Sequence, residues 1–288
     1  MNEEMRGKAV LITGATMGIG RATAVALMQK GADVTIVGRN AGRVAKTVED
    51  LQAYSSGNKV MGLTGDLSVQ KVVRRVADEY MAASSRLDVL INNAGSIFGT
   101  KELTPDGIER TWALNHLAYV LLTLTLIDLL EASAPARIIN VASQMHANGQ
   151  IRFADLDGTM RYSALAAYRQ SKLANILFTK ALAQQVTGHG ITVNALHPGA
   201  VATGMGRDMS PLMRWANRLL QSFFLSPEKG AKTSVYLASS SSPEVANANG
   251  LYFDQCRAVE PSPMCNDRTL QEKLWEVSLD QVKANLLH

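Results

Sequence analysis

Tyr168 and Lys172 stand four residues apart in the run Ala167-Tyr168-Arg169-Gln170-Ser171-Lys172, which has the composition of a helix. A spacing of four puts both side chains on one helical face. An ammonium there can stabilise a tyrosinate and lower the phenol from its ordinary pKa of about 10. A phenol made more acidic in this way moves a proton to or from an alcohol near neutral pH. Ser143 closes an apolar strand pattern about one helix length upstream. Its hydroxyl can hydrogen-bond a substrate oxygen and steady the charge that develops on it. Together the three form a proton-handling set suited to a carbonyl. A Tyr/Lys pair at this spacing also occurs on solvated helices that do no chemistry, so its meaning depends on what positions it.

An unbroken alternation of strand and helix patterns positions it. Strand patterns at 8–13, 34–37, 60–63, 87–91, 137–142 and 191–196 alternate with helical patterns at 21–30, 41–54, 68–83, 106–130 and 165–186, with Ser68 a candidate cap for the third helix. Short apolar strands separated by helices imply an α/β fold, a doubly wound parallel sheet with helices on both faces. No linker, low-complexity tract or tandem repeat interrupts it. The run Ser239-Ser240-Ser241-Ser242-Pro243 reads as a surface loop after a helix. One domain over 1–288 is the simplest account.

Bulk properties exclude several classes. Of 288 residues, 47% are apolar and 19% charged, which suits a substantial core. The net charge of +4 is mild and scattered, which argues against a nucleic-acid surface. Cys256 and Cys265 have neither metal-site nor disulfide-framework spacing, so no metal is expected and a reducing, cytoplasmic setting fits. The opening Met1-Asn2-Glu3-Glu4-Met5-Arg6 carries no secretory signal. The apolar run 117–130 is too short to span a membrane and is cut by Thr123, Thr125 and Asp128.

A cofactor loop follows the first strand. In Thr13-Gly14-Ala15-Thr16-Met17-Gly18-Ile19-Gly20 the glycines allow a tight turn and close approach of backbone to a pyrophosphate, and the next helix offers its N-terminus. Gly14, Thr16, Met17, Gly18, Ile19 and Gly20 are the expected contacts. The spacing is Gly-x3-Gly-x-Gly rather than G-x-G-x-x-G. The second strand ends in Gly38-Arg39-Asn40, where an NAD site would hold an acidic residue for the ribose 2′-hydroxyl. Asp33 stands at the other end of that strand. Arg39 can pair with a 2′-phosphate, with Asn40 beside it and Arg21 assisting, so NADP(H) is the expected cofactor. An ordinary exposed arginine is the competing reading. Asp66 and Leu67 follow the third strand; the Asp66 carboxylate can accept from an adenine amino group, cap the next helix, or do both.

These residues resemble the short-chain dehydrogenase/reductase family. The matches run in the family's order through Thr13 to Gly20, Asp66, Asn92-Asn93-Ala94-Gly95, Asn115, Ser143, Tyr168 with Lys172, and His197-Pro198-Gly199, and cover 8 to about 255. The retinol-dehydrogenase-like branch is closest in pattern at Ala167 to Asn175, Phe153-Ala154-Asp155-Leu156, Val193 to Gly199 and Gly250-Leu251-Tyr252-Phe253. Vertebrate microsomal members of that branch begin with a hydrophobic anchor. Its lack here points to the soluble ketone reductases of microbial secondary metabolism that share the branch.

The resemblance implies roles. Tyr168 is the acid in reduction, and Lys172 lowers its pKa and holds the ribose hydroxyls. Asn115 joins a proton relay, or is a buried amide bonded to backbone. Asn93, Ala94 and Gly95 lie under the cofactor ribose. Pro198, Gly199, Val201 and Thr203 approach the nicotinamide, with helix capping the alternative for Thr203 and a structural role expected of His197. Ser143, Met145, His146 and Tyr168 face the substrate; for His146 a role without ligand contact competes. A lid at about 203–226, rich in Met and aromatic residues, suggests a bulky apolar substrate, a peripheral membrane patch, or plain packing. About 255–288 forms a C-terminal extension. The expected activity is NADP(H)-dependent ketone or carbonyl reduction. The alternatives are a retinol/retinal dehydrogenase and a non-catalytic NADPH-binding regulator. The helices at 106–130 and 165–186 are candidates for a homodimer interface.

Overall fold

The computed structural model describes residues 4–199 and 225–286. Its centre is β1 (Ala9–Thr13), where burial explains the sequence pattern directly. Val10 and Ile12 enter one apolar cluster and Leu11 the other, so a continuous apolar run supplies both faces of one strand. Leu11 and Ile12 are fully buried, each contributing about 1.5–3 kcal/mol of hydrophobic stabilisation.

The other strands are β2 (Asp33–Gly38), β3 (Val60–Thr64), β4 (Val89–Asn92), β5 (Ala136–Val141), β6 (Ile191–His197), β7 (Tyr252–Asp254) and β8 (Arg257–Val259). The sheet order is β3-β2-β1-β4-β5-β6-β7-β8, parallel except where β8 runs against β7. The direction of winding reverses between β1 and β4. Open α/β sheets form their ligand crevice beyond the strand C-termini at such a switch.

Helices α1 (Gly18–Gln29), α2 (Ala41–Gln52) and α8 (Pro227–Ser239) share one apolar cluster with the sheet. Helices α3 (Gln70–Ala83), α5 (Ala118–Thr125), α7 (Ala164–Gln185) and α10 (Arg268–Val282) share the other. Short helices α4 (Arg110–Trp112), α6 (Ile127–Ala132) and α9 (Pro243–Ala246) complete the described set. No helix among the described residues is long and apolar enough to cross a membrane.

Two expectations change. The helix read at 106–130 begins only at Arg110, because the buried Glu109 carboxylate accepts from Thr111 N (2.8 Å) and Trp112 N (2.7 Å) and so caps it. It then widens into a π-turn over Ala113–Leu117, continues as α5 and breaks at Leu126 before α6. Ser68 does not cap α3: Val69 holds that position, and the Asp106 carboxylate accepts from Gln70 N at 2.9 Å.

The helices expected at a dimer interface both touch α10 of the same chain. Trp275 stacks on Phe178 with ring centroids 5.8 Å apart, and Trp112 Nε1 donates to Gln281 Oε1 at 2.9 Å.

Candidate active site

The crevice is built from the ends of β1 and β4. Gly14 leaves β1 with φ of 67°, and a Cβ there would lie 2.8 Å from Ala94 Cα. Only glycine lets the two strand exits approach this closely. The buried Thr13 hydroxyl then accepts from Asn93 N (2.9 Å) and Ala94 N (3.0 Å), while Asn93 Nδ2 donates to Thr13 O at 2.8 Å. Asn92 belongs to a different network. Its amide is fully buried and donates to Thr123 Oγ1 (3.0 Å) and to Asn140 Oδ1 (2.9 Å) on β5.

Helix α1 starts at Gly18, three residues earlier than its sequence pattern suggests, so the last two glycines of the loop form its first turn. Met17 holds the cap position and supplies no side-chain bond. The first N–H groups of a helix have no intrahelical partner, so this end is suited to an anion. A cleft of about 310 Å³ opens above it. Of the cofactor residues expected between Gly14 and Gly95, all but Arg21 line that cleft, namely Gly14, Thr16, Met17, Gly18, Ile19, Gly20, Arg39, Asn40, Asp66, Leu67, Asn93, Ala94 and Gly95. Tyr168, Lys172 and Pro198 close its far end.

Details at the outer end depart from expectation. Asn40 Oδ1 accepts from Arg43 N at 2.9 Å and caps α2, so its amide is already engaged. Arg21 pairs with Asp50 at 3.1 Å and faces a separate groove; it does not reach the cleft. Arg43, one turn beyond Arg39, takes that place. Both guanidinium groups are exposed at the cleft mouth, and among the described residues neither has an ion-pair partner. Asp66 Oδ1 accepts from Ser68 N (3.1 Å) and Ser68 Oγ (2.7 Å), and Oδ2 stands 3.6 Å from Arg110. The carboxylate therefore stabilises the turn before α3 while still lining the cleft.

At the inner end Ser143 follows β5 in extended backbone with φ of −166°. Its Oγ accepts from Met145 N at 3.2 Å and is hydrogen-bonded to the Tyr168 phenol. Lys172 Nζ donates to Val141 O at 2.8 Å, with the Tyr168 and Tyr119 ring centroids 5.6 and 5.7 Å away. All three side chains of the set are buried.

Burial, not the ion pair expected from the sequence, governs the charges. It pushes Tyr168 up to about 12, opposed by the Ser143 hydrogen bond, and pulls Lys172 down to about 7. The Ser143 hydroxyl is the neighbour that opposes burial at the phenol.

Asn115 lies in the π-turn, a helix irregularity frequent at functional sites. Its Oδ1 accepts from Ser96 N (2.9 Å), and its Nδ2 donates to Ser96 O (2.9 Å) and Ser171 Oγ (3.1 Å). The backbone-bonded reading of this amide is therefore realised. A Cβ on Gly95 would come 3.3 Å from Asn115 Oδ1 and 3.4 Å from Lys172 Nζ, so all three meet at the cleft floor.

Neither Met145 nor His146 lines the cleft. His146 is corrected as a substrate contact. It is buried, Nδ1 donates to Ser143 O at 2.8 Å, and Nε2 accepts from Ser262 N at 3.0 Å. His197 is half-buried at the end of β6. Gly199 has φ of 82°. Val201, Thr203 and the lid up to residue 224 lie outside the described residues.

Sequence reasoning missed Arg43, Phe98, Leu114 and Tyr119. Arg43 carried a signal, since it is a second arginine in the first turn of the helix that follows Arg39. Tyr119 carried none, because it looks like ordinary core in the sequence. Among the described residues no cluster of His, Cys, Asp and Glu could hold a metal.

Comparison with known proteins gives a consistent result. A family model described as short chain dehydrogenase matches residues 8–213. The chain is 42% identical to retinol dehydrogenase 14 of Homo sapiens, covering 98% of this chain and 88% of that protein. It is 38% identical to retinol dehydrogenase 11 of Homo sapiens, covering 96% and 86%. Among solved structures it resembles an uncharacterised protein from Mycobacterium paratuberculosis, with a TM-score of 0.77, 30% identity and coverage of 96% and 94%. It also resembles the RhlG/NADP active-site complex of Pseudomonas aeruginosa, with a TM-score of 0.70, 29% identity and coverage of 88% and 96%.

Proposed function

From the premise that the chain belongs to the short chain dehydrogenase family and is an oxidoreductase acting on CH–OH and C=O groups, we propose that it is an NADP(H)-dependent carbonyl reductase for bulky apolar substrates. The observation that carries this is the Ser143–Tyr168 hydroxyl pair, held beside Lys172 at the inner end of a cleft whose outer end carries Arg39 and Arg43.

The residues present fit a phosphorylated dinucleotide. The uncapped start of α1 suits a pyrophosphate. Arg39 and Arg43 suit a 2′-phosphate, which planar guanidinium groups bind in bidentate fashion. Gly95 keeps the floor beside Lys172 clear of a Cβ. When bound, the nicotinamide supplies or accepts the hydride. Lys172 has one proton on Val141 O and further protons for ribose hydroxyls.

Proton handling falls to the chain. Tyr168 is neutral at pH 7, which is the state needed to donate a proton to a carbonyl oxygen as it gains charge. Ser143 Oγ hydrogen-bonds that same oxygen. The resulting phenolate is stabilised by Ser143 and by the protonated fraction of Lys172. A neutral phenol at rest favours reduction over oxidation, and a cellular NADP pool kept reduced acts in the same direction. This intact set also argues against a purely regulatory NADPH-binding role.

The Met- and aromatic-rich run at about 203–226 supports an apolar substrate. Retinal is a second reading, favoured by the retinol dehydrogenases among the relatives. The test is a panel of nonanal, acetophenone, 9,10-phenanthrenequinone and all-trans-retinal, each assayed with NADPH and with NADH. Turnover with NADPH well above NADH is expected. Retinal as the best substrate would select the second reading, and no turnover of any carbonyl with either cofactor would defeat both.

A further inference from the structure

We propose that His146 is a positioning residue for Ser143, fixed in one tautomer by the C-terminal segment that carries Ser262. The inference rests on the reading of Ser143 as the hydroxyl that holds the substrate oxygen.

Both ring nitrogens of His146 are committed, with opposite polarity. The Ser143 carbonyl can only accept, so Nδ1, 2.8 Å away, carries the proton. The Ser262 N–H can only donate, so Nε2, 3.0 Å away, carries the lone pair. One neutral tautomer satisfies both bonds. The ring is 4% exposed and stands edge-on to Tyr252, with centroids 5.0 Å apart. It therefore has neither room nor a free nitrogen for substrate.

The bond to Ser143 O sets the peptide plane that follows the serine. That carbonyl also accepts from His146 N at 3.1 Å, and Ser143 Oγ accepts from Met145 N. Three bonds from two neighbouring residues thus fix both ends of Ser143 and aim its hydroxyl at Tyr168. Ser262 lies far along the chain, at the cap of a short 3-10 turn, Pro263–Asn266, ahead of α10. The C-terminal extension is in this way wired to the catalytic serine through a single imidazole. Misaiming a reacting group by about 1 Å can cost on the order of 100-fold in rate, so a residue that touches no substrate can still govern turnover.

Replacements can separate the two nitrogens. The amide of His146→Asn can keep the donor at the Nδ1 position, whereas His146→Phe keeps the packing on Tyr252 and loses both bonds. Ser262 has φ of −56° and ψ of 146°, already suited to proline, so Ser262→Pro deletes the N–H while Ser262→Ala deletes only the hydroxyl. The readouts are kcat and the KM for NADPH on the fastest carbonyl of the panel above, and the 15N shifts of His146 in histidine-labelled protein.

We expect His146→Phe to lose about tenfold or more in kcat with the KM for NADPH nearly unchanged, and His146→Asn to recover most of it. The Nδ1–H tautomer should be present in the unaltered protein and in Ser262→Ala, and lost together with turnover in Ser262→Pro. Equal kcat losses in the Asn and Phe variants, or a Ser262→Pro variant with full turnover and the same tautomer, would overturn the positioning role while leaving Ser143→Ala inactive. A fully active Ser143→Ala would overturn the reading of the site itself, and the proposal with it.

Discussion

Lys172 Nζ donates to the carbonyl oxygen of Val141 across 2.8 Å, from the middle of α7 to the last residue of β5. The bond ties α7 to the strand that delivers Ser143 two residues later. It does so inside the core, where Lys172 is only 3% exposed. The same amine therefore has a structural duty and an unusual charge state, because burial draws it down to about 7.

That charge state makes stability depend on pH. Between pH about 7 and 10.5 the unfolded chain binds a proton at Lys172 that the folded chain does not. Stability from this group thus rises with pH across that window, by at most about 1.4 kcal/mol per pH unit, and is lowest below it. Tyr168 has the opposite sign higher up. Its folded phenol holds its proton to about 12, so stability falls as pH rises from 10 to 12. Lys172→Met should be stabilised relative to the unaltered chain progressively as pH falls from 10 to 7, with no further change below about 6. Denaturant melts across pH check this, and a constant difference would refute it.

Tyr168→Phe removes the proton donor and leaves the ring in place. A fall of about 100- to 10,000-fold in kcat is expected, the range for losing a general acid. NADPH binding, followed by quenching of protein fluorescence, should be unchanged within a factor of about two. Turnover near the original level would remove Tyr168 from the chemistry.

On the proposed reading, Arg39 and Arg43 set the cofactor preference. A charge-assisted hydrogen bond is worth about 1.5–3 kcal/mol, so each Ala variant should weaken NADPH about 10- to 100-fold and leave NADH nearly unaffected. Isothermal titration with the two dinucleotides separates these effects. If Arg39→Ala weakens both equally, the arginine is not reading the 2′-phosphate.

How much of this was legible in the sequence follows from what each residue's neighbours are. The central strands were legible because burial on both faces forces continuous apolar runs, as in Val10-Leu11-Ile12. The cofactor loop and the Tyr168/Lys172 pair were legible because their chemistry depends on local spacing. The start of α4 was not, because Glu109 caps it from a position that looks like any surface acid. The pKa balance was not, because burial of Lys172 depends on Tyr119, 53 residues away. The bond that occupies His146 comes from Ser262, 116 residues away, and no periodicity reports such a pairing. The hairpin of β7 and β8 also went unread, since each strand is only three residues long.

Thr13 shows what the residue that opens the glycine loop can contribute. Its hydroxyl oxygen accepts from both Asn93 N and Ala94 N, and its side chain is 1% exposed. Thr13→Val keeps the shape and removes the acceptor, leaving two N–H groups unpaired at the base of the cleft. A buried unpaired group costs about 1–3 kcal/mol. The β4 exit can relieve that cost only by moving away from β1, which would widen the gap that Gly14 keeps closed. Two linked effects are therefore expected: a lower melting temperature and a weaker affinity for NADPH, both recovered by Thr13→Ser. A Val variant that loses stability while binding NADPH as before would show that the Thr13 bonds support the core alone and leave the cofactor loop where it is.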